Sequence, residues 1–257
     1  MCIDLSSYDF FLEFTSYREE RIEWGSRLGY SPWKSYLWYG YNCFIYRIVM
    51  FDFSHVEEQV ISLIQSYTEV LQQKLERRQI EMQADDTSHY LIYHLLGIAQ
   101  EECYNIDYYQ NVGRFLYRYA GEFLERATII CLQYRYPEGE KVHIPNPEGN
   151  RPRTFEIDFL GEGNAFEIKW RDATTDGDHI AKECARAQAI RRAGYTPIRI
   201  MYYYPQRAAA RRVQEAIEYM YRGLEGAYYY GEAAWSFVEQ HTGIDLKGIL
   251  TTHLENR

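Results

Sequence analysis

The sequence predicts an α/β protein in which a mixed β-sheet is flanked by helices and preceded by a largely helical N-terminal region. Three observations predict this class. Apolar residues recur at helical spacing through the first half of the chain, and alternating apolar and polar residues begin after Pro137. From there the predicted order is strand, strand, helix, strand, helix, which is typical of a mixed sheet with helices packed against it.

The 257-residue chain is long enough for one large domain or two small ones. We expect a mainly helical N-terminal region, residues 1–105, followed by a core with a C-terminal helix, residues 106–257. Residues 1–53 are dense in aromatic side chains, which we interpret as mostly helical turns. Apolar residues at helical spacing then predict three helices, over about 54–82, 88–103 and 107–133.

The second half predicts strands because apolar and polar residues alternate there. The clearest pair, residues 154–160 and 165–170, is joined by a glycine-containing turn and forms a hairpin. Gly194 follows a helical run and predicts its end, since glycine is favoured just beyond the last turn. The remaining elements are a short strand over 142–144, a helix over about 179–193, a strand over 196–204, a helix over 206–222 and a helical segment over 230–256.

Composition excludes several classes of protein. Seven prolines and 17 glycines are too few for a collagen-like or disordered chain. No run approaches the roughly 18 uncharged apolar residues that span a membrane, and the first residues lack the basic and apolar regions of a signal peptide. The five cysteines are scattered, odd in number and never spaced as CxxC, which favours reduced thiols, a cytoplasmic location and no zinc site.

The charge of the chain is unevenly distributed. The net charge of −9 taken alone argues against a nucleic-acid partner. Residues 151–222, however, carry a net charge of +3 and the rest of the chain carries −12, an asymmetry that permits a basic groove in an acidic protein. There are 22 arginines, 6 lysines and 26 tyrosines; arginine and tyrosine favour planar recognition surfaces, although most are expected in the core or on a solvated surface.

The motif that carries chemistry is Asp158 followed by Glu167-Ile-Lys169. An acid-x-lysine triplet is a weak signal by itself, because 37 acidic residues and 6 lysines give about one chance match in a chain of this length. A second triplet does occur, Asp245-Leu-Lys247. We set it aside because it lies in a helical stretch and has no partner strand.

The hairpin context makes the first triplet informative. Strand alternation places the polar residues Glu156, Asp158, Glu167 and Lys169 on one face and the apolar residues on the other: Phe155, Ile157, Phe159, Phe166, Ile168 and Trp170. If the turn centres on residues 162 and 163, Asp158 lies opposite Glu167 and Glu156 lies opposite Lys169. The alternative interpretation is a solvated hairpin face with a Glu156–Lys169 ion pair.

Directly opposed carboxylates destabilise a hairpin. A divalent cation between Asp158 and Glu167 would offset their repulsion, and carboxylate oxygens are ligands that suit magnesium. Lys169 would then orient or activate a metal-bound water, or stabilise negative charge developing on a phosphate. The sequence therefore predicts a Mg²⁺ site with an adjacent lysine.

This arrangement resembles the PD-(D/E)xK nuclease superfamily, whose core is a mixed sheet between helices with the acidic pair and the lysine on adjacent strands. Ile157-Asp158 stands where the motif name has Pro-Asp, a position that often lacks proline. A glutamate from the preceding helix often joins the metal site in that superfamily. The resemblance points to Glu122 or Glu125, of which we prefer Glu125; either also fits as an exposed helix glutamate.

A longer stretch is similar to the ApaLI-like type II restriction endonucleases, most densely over about 110–250. Its most specific part is Lys169-Trp-Arg-Asp-Ala-Thr-Thr-Asp-Gly-Asp-His179. The resemblance implies magnesium-dependent cleavage of double-stranded DNA at a short palindrome, leaving 5′-phosphate and 3′-hydroxyl ends. It implies that Asp158, Glu167 and the Ile168 carbonyl bind the metal, that Lys169 positions the attacking water, and that Glu125 is an extra ligand or supports one.

The implied partners follow from a palindromic target. Two-fold symmetric DNA is matched by a two-fold symmetric homodimer, and a restriction enzyme has a cognate DNA methyltransferase as its genetic partner. DNA contacts are expected from the segment after the lysine, namely Arg171, Thr174, Thr175, His179 and Lys182. Arginines on the following helices are weaker candidates for DNA contacts, because charged side chains on exposed helix faces are commonly only solvated. His179 fits a capping or structural role equally well.

Two other functions remain open at the level of sequence. A repair or recombination nuclease of the same superfamily would share the motif but select DNA structure instead of sequence. A non-catalytic DNA-binding protein would use the tyrosines and arginines for stacking and phosphate contacts. The sequence lacks a glycine-rich phosphate loop, a serine-hydrolase elbow and Cys/His sets with zinc-ligand spacing. These absences argue against an NTPase, a serine hydrolase and a zinc protein, respectively.

Overall fold

The chain changes from helices to strands after Arg135, close to where the sequence predicts the change. The computed structural model describes residues 53–149, 152–172, 174 and 176–256. Phe53–Arg257 form one compact unit. The helical turns predicted before Phe53 lie outside the described residues, and the domain boundary between residues 105 and 106 remains a prediction.

Within the described residues, three helices precede the sheet: α1 (Phe53–Gln83), α2 (Tyr90–Leu95) and α3 (Gln100–Arg135). The helix predicted over 54–82 is confirmed by α1. The division into helices over 88–103 and 107–133 is wrong, because α3 runs without a break from Gln100. The break falls earlier, at Gly97, whose φ of 84° lies in the left-handed region that favours glycine.

A five-stranded mixed sheet follows: β1 (Glu140–Pro145), β2 (Thr154–Gly161), β3 (Asn164–Arg171), β4 (Thr196–Tyr203) and β5 (Ala227–Tyr230). The strands lie in the order β1-β2-β3-β4-β5. β1, β2 and β3 are antiparallel neighbours, whereas β3, β4 and β5 run parallel. This arrangement confirms the predicted α/β class, although the sequence analysis missed the short edge strand β5.

Helices cover both faces of the sheet. α4 (Gly177–Arg192) and α5 (Ala208–Gly223) pack on one face, through apolar clusters that include Ala187, Met201 and Val213. α1, α3, α6 (Glu232–Thr242) and α7 (Leu246–Glu255) contribute to the cluster on the other face. The helical segment predicted over 230–256 is thus two helices, because Gly243, with a φ of 79°, ends α6. No helix within the described residues is long and apolar enough to cross a membrane.

Next to its turn, the β2–β3 hairpin has the predicted register. Glu162 and Gly163 form the turn and both have positive φ, 46° and 82°, as a two-residue turn between twisted strands requires. The three backbone pairs nearest the turn join Phe159 to Phe166, Leu160 to Ala165 and Gly161 to Asn164. The predicted turn position is therefore confirmed.

An irregularity in β2 separates the two ends of that strand. Glu140 of β1 pairs with Leu160, whereas Val142 pairs with Ile157, so β2 uses one more residue than β1 over the same length. A strand with an extra residue bends and re-aims its side chains. For this reason the single apolar face predicted for the hairpin is wrong: Ile157 packs with Ala189 and Ile190 of α4, as does Phe155, whereas Phe159 packs on the α3 side.

The start of β5 depends on a glycine. A Cβ added at Gly226 would lie 2.4 Å from the carbonyl oxygen of Pro197, whereas a Cβ at Gly223 would meet nothing within 4 Å. We expect Gly226→Ala to lower the free energy of unfolding by about 1–3 kcal/mol, since backbone cannot yield cheaply to an overpacked atom. Gly223→Ala, measured in parallel by urea denaturation, is expected to be neutral or slightly stabilising. Equal stability of the two variants would contradict this account of the turn.

Candidate active site

The structure brings Asp158, Glu167 and Lys169 together. Lys169 Nζ lies 2.5 Å from Glu167 Oε1 and 3.5 Å from Asp158 Oδ2. Asp158 Oδ2 also accepts a hydrogen bond of 2.7 Å from the backbone N–H of Ile168. Both carboxylates are buried, at 7% and 1% exposure for Asp158 and Glu167. Asp158 of β2 therefore lies against β3, beside the acid-x-lysine motif.

Glu156 does not join this group. Its carboxylate contacts Lys141 Nζ at 2.9 Å and His143 Nε2 at 3.5 Å, both on β1. The predicted pairing of Glu156 with Lys169, and with it the predicted common face of the four polar residues, is wrong. The extra residue that follows Ile157 in β2 is the reason, because it breaks the simple alternation on which that prediction depended. The alternative interpretation of a Glu156–Lys169 ion pair fails for the same reason.

The two carboxylates differ in their electrostatics. Burial raises the pKa of Asp158, and the negative charge of Glu167 raises it further, against a smaller opposing effect of Lys169. Burial also opposes the charge of Glu167, but Lys169, Arg186 and Arg199 together outweigh it and hold its pKa below the ordinary value. Burial likewise disfavours the charge of Lys169, yet Glu167 and Asp158 raise its pKa above that of a free lysine. Lys169 is therefore a cation in this site.

The donor atoms of this site fit a hard cation. Glu167 Oε1 is occupied by Lys169 and Arg186, whereas Glu167 Oε2 is buried and has no hydrogen-bond partner among the described residues. An unpartnered carboxylate oxygen beside a second buried carboxylate is the kind of ligand that magnesium prefers. No group of three or more His, Cys, Asp or Glu side chains in the described ranges is placed to hold a metal. A cation here would thus need oxygens from the backbone, water or substrate besides the two carboxylates.

The two glutamates considered on α3 have different environments. Glu125 Oε1 lies 3.4 Å from Lys141 Nζ, and its charge contributes to the raised pKa of Asp158. Glu122 is instead paired with Arg126, at 3.3 Å, on the exposed surface of the same helix. Of the two, Glu125 is the one whose charge acts on Asp158, which agrees with the preference drawn from the resemblance.

A buried chain of charges supports Glu167 from the α4 side. Arg186 contacts both Glu167 and Glu183, the latter at 3.1 Å. Glu183 in turn contacts Arg199 at 2.6 Å, and Arg199 contacts Asp172 at 2.9 Å. Arg199 is fully buried and Glu183 is 3% exposed. Glu183, Arg199 and Asp172 were missed by the sequence analysis, and Arg186 was considered there only as a weak DNA contact.

A signal for one of these residues is present in the sequence. Arg199 is the single charge in the apolar run of β4, whose residues from Pro197 to Tyr202 are all buried. A charged residue in a strand covered on both faces needs a buried partner. No comparable signal marks Glu183, because its surroundings in α4 are those of an ordinary amphipathic helix.

The segment predicted to contact DNA is tied to this network. His179 Nε2 lies 2.7 Å from Asp172 Oδ2, the atom that also contacts Arg199. The Thr174 N–H donates to Asp172 Oδ1 at 3.3 Å. Arg171 is exposed and its carbonyl accepts a hydrogen bond from the Tyr117 hydroxyl. Lys182 is exposed and has no hydrogen bond or ion pair with residues that the structure describes; Thr175 lies outside them.

The discarded motif has an ordinary structural role. Asp245 accepts a hydrogen bond of 2.7 Å from the Gly248 N–H and so caps α7, and Lys247 pairs with Glu232 at 2.6 Å. Neither residue lies in the sheet. The prediction that this triplet lies in a helical stretch without a partner strand is therefore confirmed.

Loss of Arg199 tests the buried network. Arg199→Met leaves Glu183 and Asp172 without their shared buried cation, so we expect a loss of about 3–5 kcal/mol in the free energy of unfolding. Arg222→Met, which breaks an exposed pair with Glu218, is expected to cost less than about 1 kcal/mol. Urea denaturation measures both. Addition of Glu183→Gln to Arg199→Met is expected to recover part of the lost free energy of unfolding. A loss for Arg199→Met as small as that for Arg222→Met would contradict the stabilising role of the buried network.

Comparison with known proteins identifies the family. The model of the family described as ApaLI-like restriction endonuclease matches residues 45–255. Comparison with curated proteins and with solved structures found no significant match. The family match includes every helix and strand from α1 to α7 and the three residues of the motif. This chain therefore belongs to the ApaLI-like restriction endonuclease family.

Proposed function

We propose that this protein is a type II restriction endonuclease that makes magnesium-dependent, site-specific double-strand cuts in DNA and leaves 5′-phosphate ends. The observation that carries the proposal is the meeting of Asp158, Glu167 and protonated Lys169, with Glu167 Oε2 buried and unpartnered among the described residues. Membership of the restriction endonuclease family supports the same chemistry. The burial of both carboxylates adds a reason for a cation, since buried like charges repel strongly.

In this proposal Asp158, Glu167 and the Ile168 carbonyl would hold Mg²⁺. When bound, the ion would supply positive charge that stabilises the phosphate oxygens as the phosphodiester bond breaks. The hydrogen bond from the Ile168 N–H fixes the orientation of the Asp158 carboxylate, so that its position does not depend on the metal. Glu125 lies on α3, and its negative charge acts on Asp158. It would support the site either as an additional metal ligand or through a water bound to the metal.

Lys169 has a defined protonation state in this proposal. Its raised pKa keeps the ammonium charged, so it acts as a hydrogen-bond donor and a positive charge and not as a base. In that state it orients the attacking water through the water's oxygen and stabilises negative charge on the scissile phosphate. Because Glu167 and Asp158 both contact Lys169 Nζ, the same two side chains place the lysine and the metal.

The proposed substrate is double-stranded DNA bound by a homodimer, with each subunit cutting one strand of a palindrome. Arg171, Thr174, Thr175, His179 and Lys182 are proposed to contact the DNA near the scissile phosphate. The exposure of Arg171 and Lys182 supports phosphate contacts for these two residues, whereas His179 also serves the fold through Asp172. The protein would act in the cytoplasm with a cognate DNA methyltransferase that protects the host's own sites.

A digest of unmethylated phage DNA tests the proposal. The purified protein is expected to give discrete fragments with 5′-phosphate ends in Mg²⁺ and none in EDTA. Lys169→Ala is expected to cut about 10²–10³-fold more slowly, the usual loss for a group that stabilises developing charge.

Other results of that digest would assign the protein to a different functional class. A smear of products would indicate a structure-selective repair or recombination nuclease. A folded protein that binds DNA but leaves it intact in Mg²⁺ would be a non-catalytic DNA-binding protein. Equal cleavage by Lys169→Ala and the natural protein would overturn the role given to the lysine.

The role of Glu125 is tested against its neighbour on the same helix. We expect Glu125→Gln to raise the Mg²⁺ concentration needed for half-maximal cleavage by about 10- to 100-fold, as for groups that support a metal ligand. Glu122→Gln removes the same charge from an exposed pair with Arg126 and is expected to leave that concentration within about two-fold. The same magnesium requirement in both variants would exclude Glu125 from the site.

A further inference from the structure

A second polar region lies along α3, away from the motif. A pocket of about 540 Å³ lies between the C-terminal end of α1 and the N-terminal half of α3, and three arginines line it: Arg78, Arg114 and Arg118. Arg78 is held by a 2.8 Å hydrogen bond to Asn111 and lies over the Phe115 ring at 4.6 Å. Its guanidinium is thus fixed as a positive charge at the wall of the pocket.

Arg114 and Arg118 differ from the other arginines of the helix. Both are exposed, and neither has a hydrogen bond or an ion pair with any residue that the structure describes. Arg126, eight residues further along α3, is paired with Glu122. Two uncommitted guanidinium groups one turn apart form a ready pair of phosphate ligands, since the planar donor fork of arginine suits phosphate oxygens.

The acidic residues of the pocket lie away from these arginines along the chain and are engaged locally. Asp107, seven residues before Arg114, contacts His89 at 2.7 Å. Asp86 accepts hydrogen bonds from Ser88, and Asp85 accepts one from the Asp86 N–H. The acids therefore mark the far end of the pocket, and the pair Arg114 and Arg118 lies nearer to the motif along α3.

Helix geometry places the arginine pair in line with the candidate active site. At 3.6 residues per turn, Arg114, Arg118 and Glu125 fall within roughly 40° of one another around α3. Between them, Gly121 faces Trp170 of β3, so closely that a Cβ added at this glycine would lie 2.9 Å from the indole ring. The Tyr117 hydroxyl reaches the Arg171 carbonyl at the end of β3. The stripe formed by Arg114, Arg118 and Glu125 along α3 thus continues past the end of β3, the strand that carries Glu167 and Lys169.

The distances along this stripe match the spacing of DNA phosphates. With a rise of 1.5 Å per residue, Arg118 and Arg114 lie about 10 Å and 16 Å from Glu125 along the helix axis. One strand of B-DNA carries a phosphate every 3.4 Å along its axis. On a DNA strand that runs along α3, these arginines would reach phosphates roughly three to five nucleotides from the one next to Glu125.

We propose that Arg114 and Arg118 bind the DNA backbone three to five nucleotides from the scissile phosphate, and so extend the DNA interface beyond the segment after β3. This inference rests on the proposed nuclease function for the position of the cut. It does not need that function for the binding itself, because phosphate contacts are independent of sequence. Asp107, at the far end of the stripe, limits the contact to these two arginines.

The experiment measures binding of a fluorescein-labelled 30-base-pair duplex by anisotropy, in EDTA, over a series of salt concentrations. The logarithm of the DNA-binding constant falls linearly with the logarithm of the salt concentration, and each phosphate contact makes that slope steeper by about 0.9. Arg114→Gln/Arg118→Gln removes two contacts from each subunit, so it is expected to reduce the size of that slope by about 1.8 for each bound subunit, or about 3.6 for the proposed homodimer. Arg114→Lys/Arg118→Lys keeps both charges and is expected to keep the slope. Arg222→Gln removes an exposed arginine from α5, across the sheet, and is expected to match the natural protein.

The outcomes separate this inference from the proposed function. A reduced slope in the glutamine variant, with or without cleavage by the natural protein, supports the arginine contacts. An unchanged slope overturns them, even if the natural protein cuts DNA at discrete sites. An equal reduction in Arg222→Gln also overturns them, because the effect would then be one of overall charge. Replacing the two exposed arginines removes no hydrogen bond or ion pair within the described residues, so the variants are expected to fold.

Discussion

The burial of Glu167 is the constraint on which the rest of the site depends. An isolated carboxylate cannot be taken out of water without a large loss of free energy, and this one is tolerated because Lys169 and Arg186 both contact it. Arg186 is held in turn by Glu183, Glu183 by Arg199, and Arg199 by Asp172. Charges of alternating sign thus extend from the centre of β3 to the segment after that strand. Removing any one of them takes a partner of opposite charge from each of its neighbours.

The irregular strand β2 supplies the second half of the site. In a regular hairpin with this turn, Asp158 would lie opposite Glu167 and Glu156 would share its face. The extra residue in β2 instead turns Glu156 towards Lys141 and His143 of β1, while Asp158 stays against the Ile168 N–H, beside Glu167. The resulting pair of carboxylates is unfavourable by itself, as the raised pKa of Asp158 indicates. In the proposed function a bound cation would relieve this repulsion, so the feature that costs stability would favour metal binding.

The parts of the site that follow from local pattern could be predicted from the sequence, and those that depend on long-range packing could not. The turn at Glu162 and Gly163 and the motif of Asp158, Glu167 and Lys169 follow from residue type and from spacing within one hairpin. The irregularity of β2 depends on its register with β1, and no residue type in either strand predicts that register. β5 has only four residues and is stabilised as a strand by its pairing with β4. Arg199 had a signal, but its partners lie 16 and 27 positions away.

A nuclease must satisfy two opposite electrostatic demands, because its metal site needs negative charge and its DNA path needs positive charge. In a chain of net charge −9 the demands conflict unless the groups are separated. Helix α3 separates them along one face, with Glu125 at the level of Asp158 and Arg118 about 10 Å further on. That distance is close to the Debye length at 0.1 M salt, about 10 Å, beyond which exposed charges hardly affect one another. In the proposed function the glutamate would therefore leave the arginines largely unneutralised, and one helix would serve both the metal site and the DNA backbone.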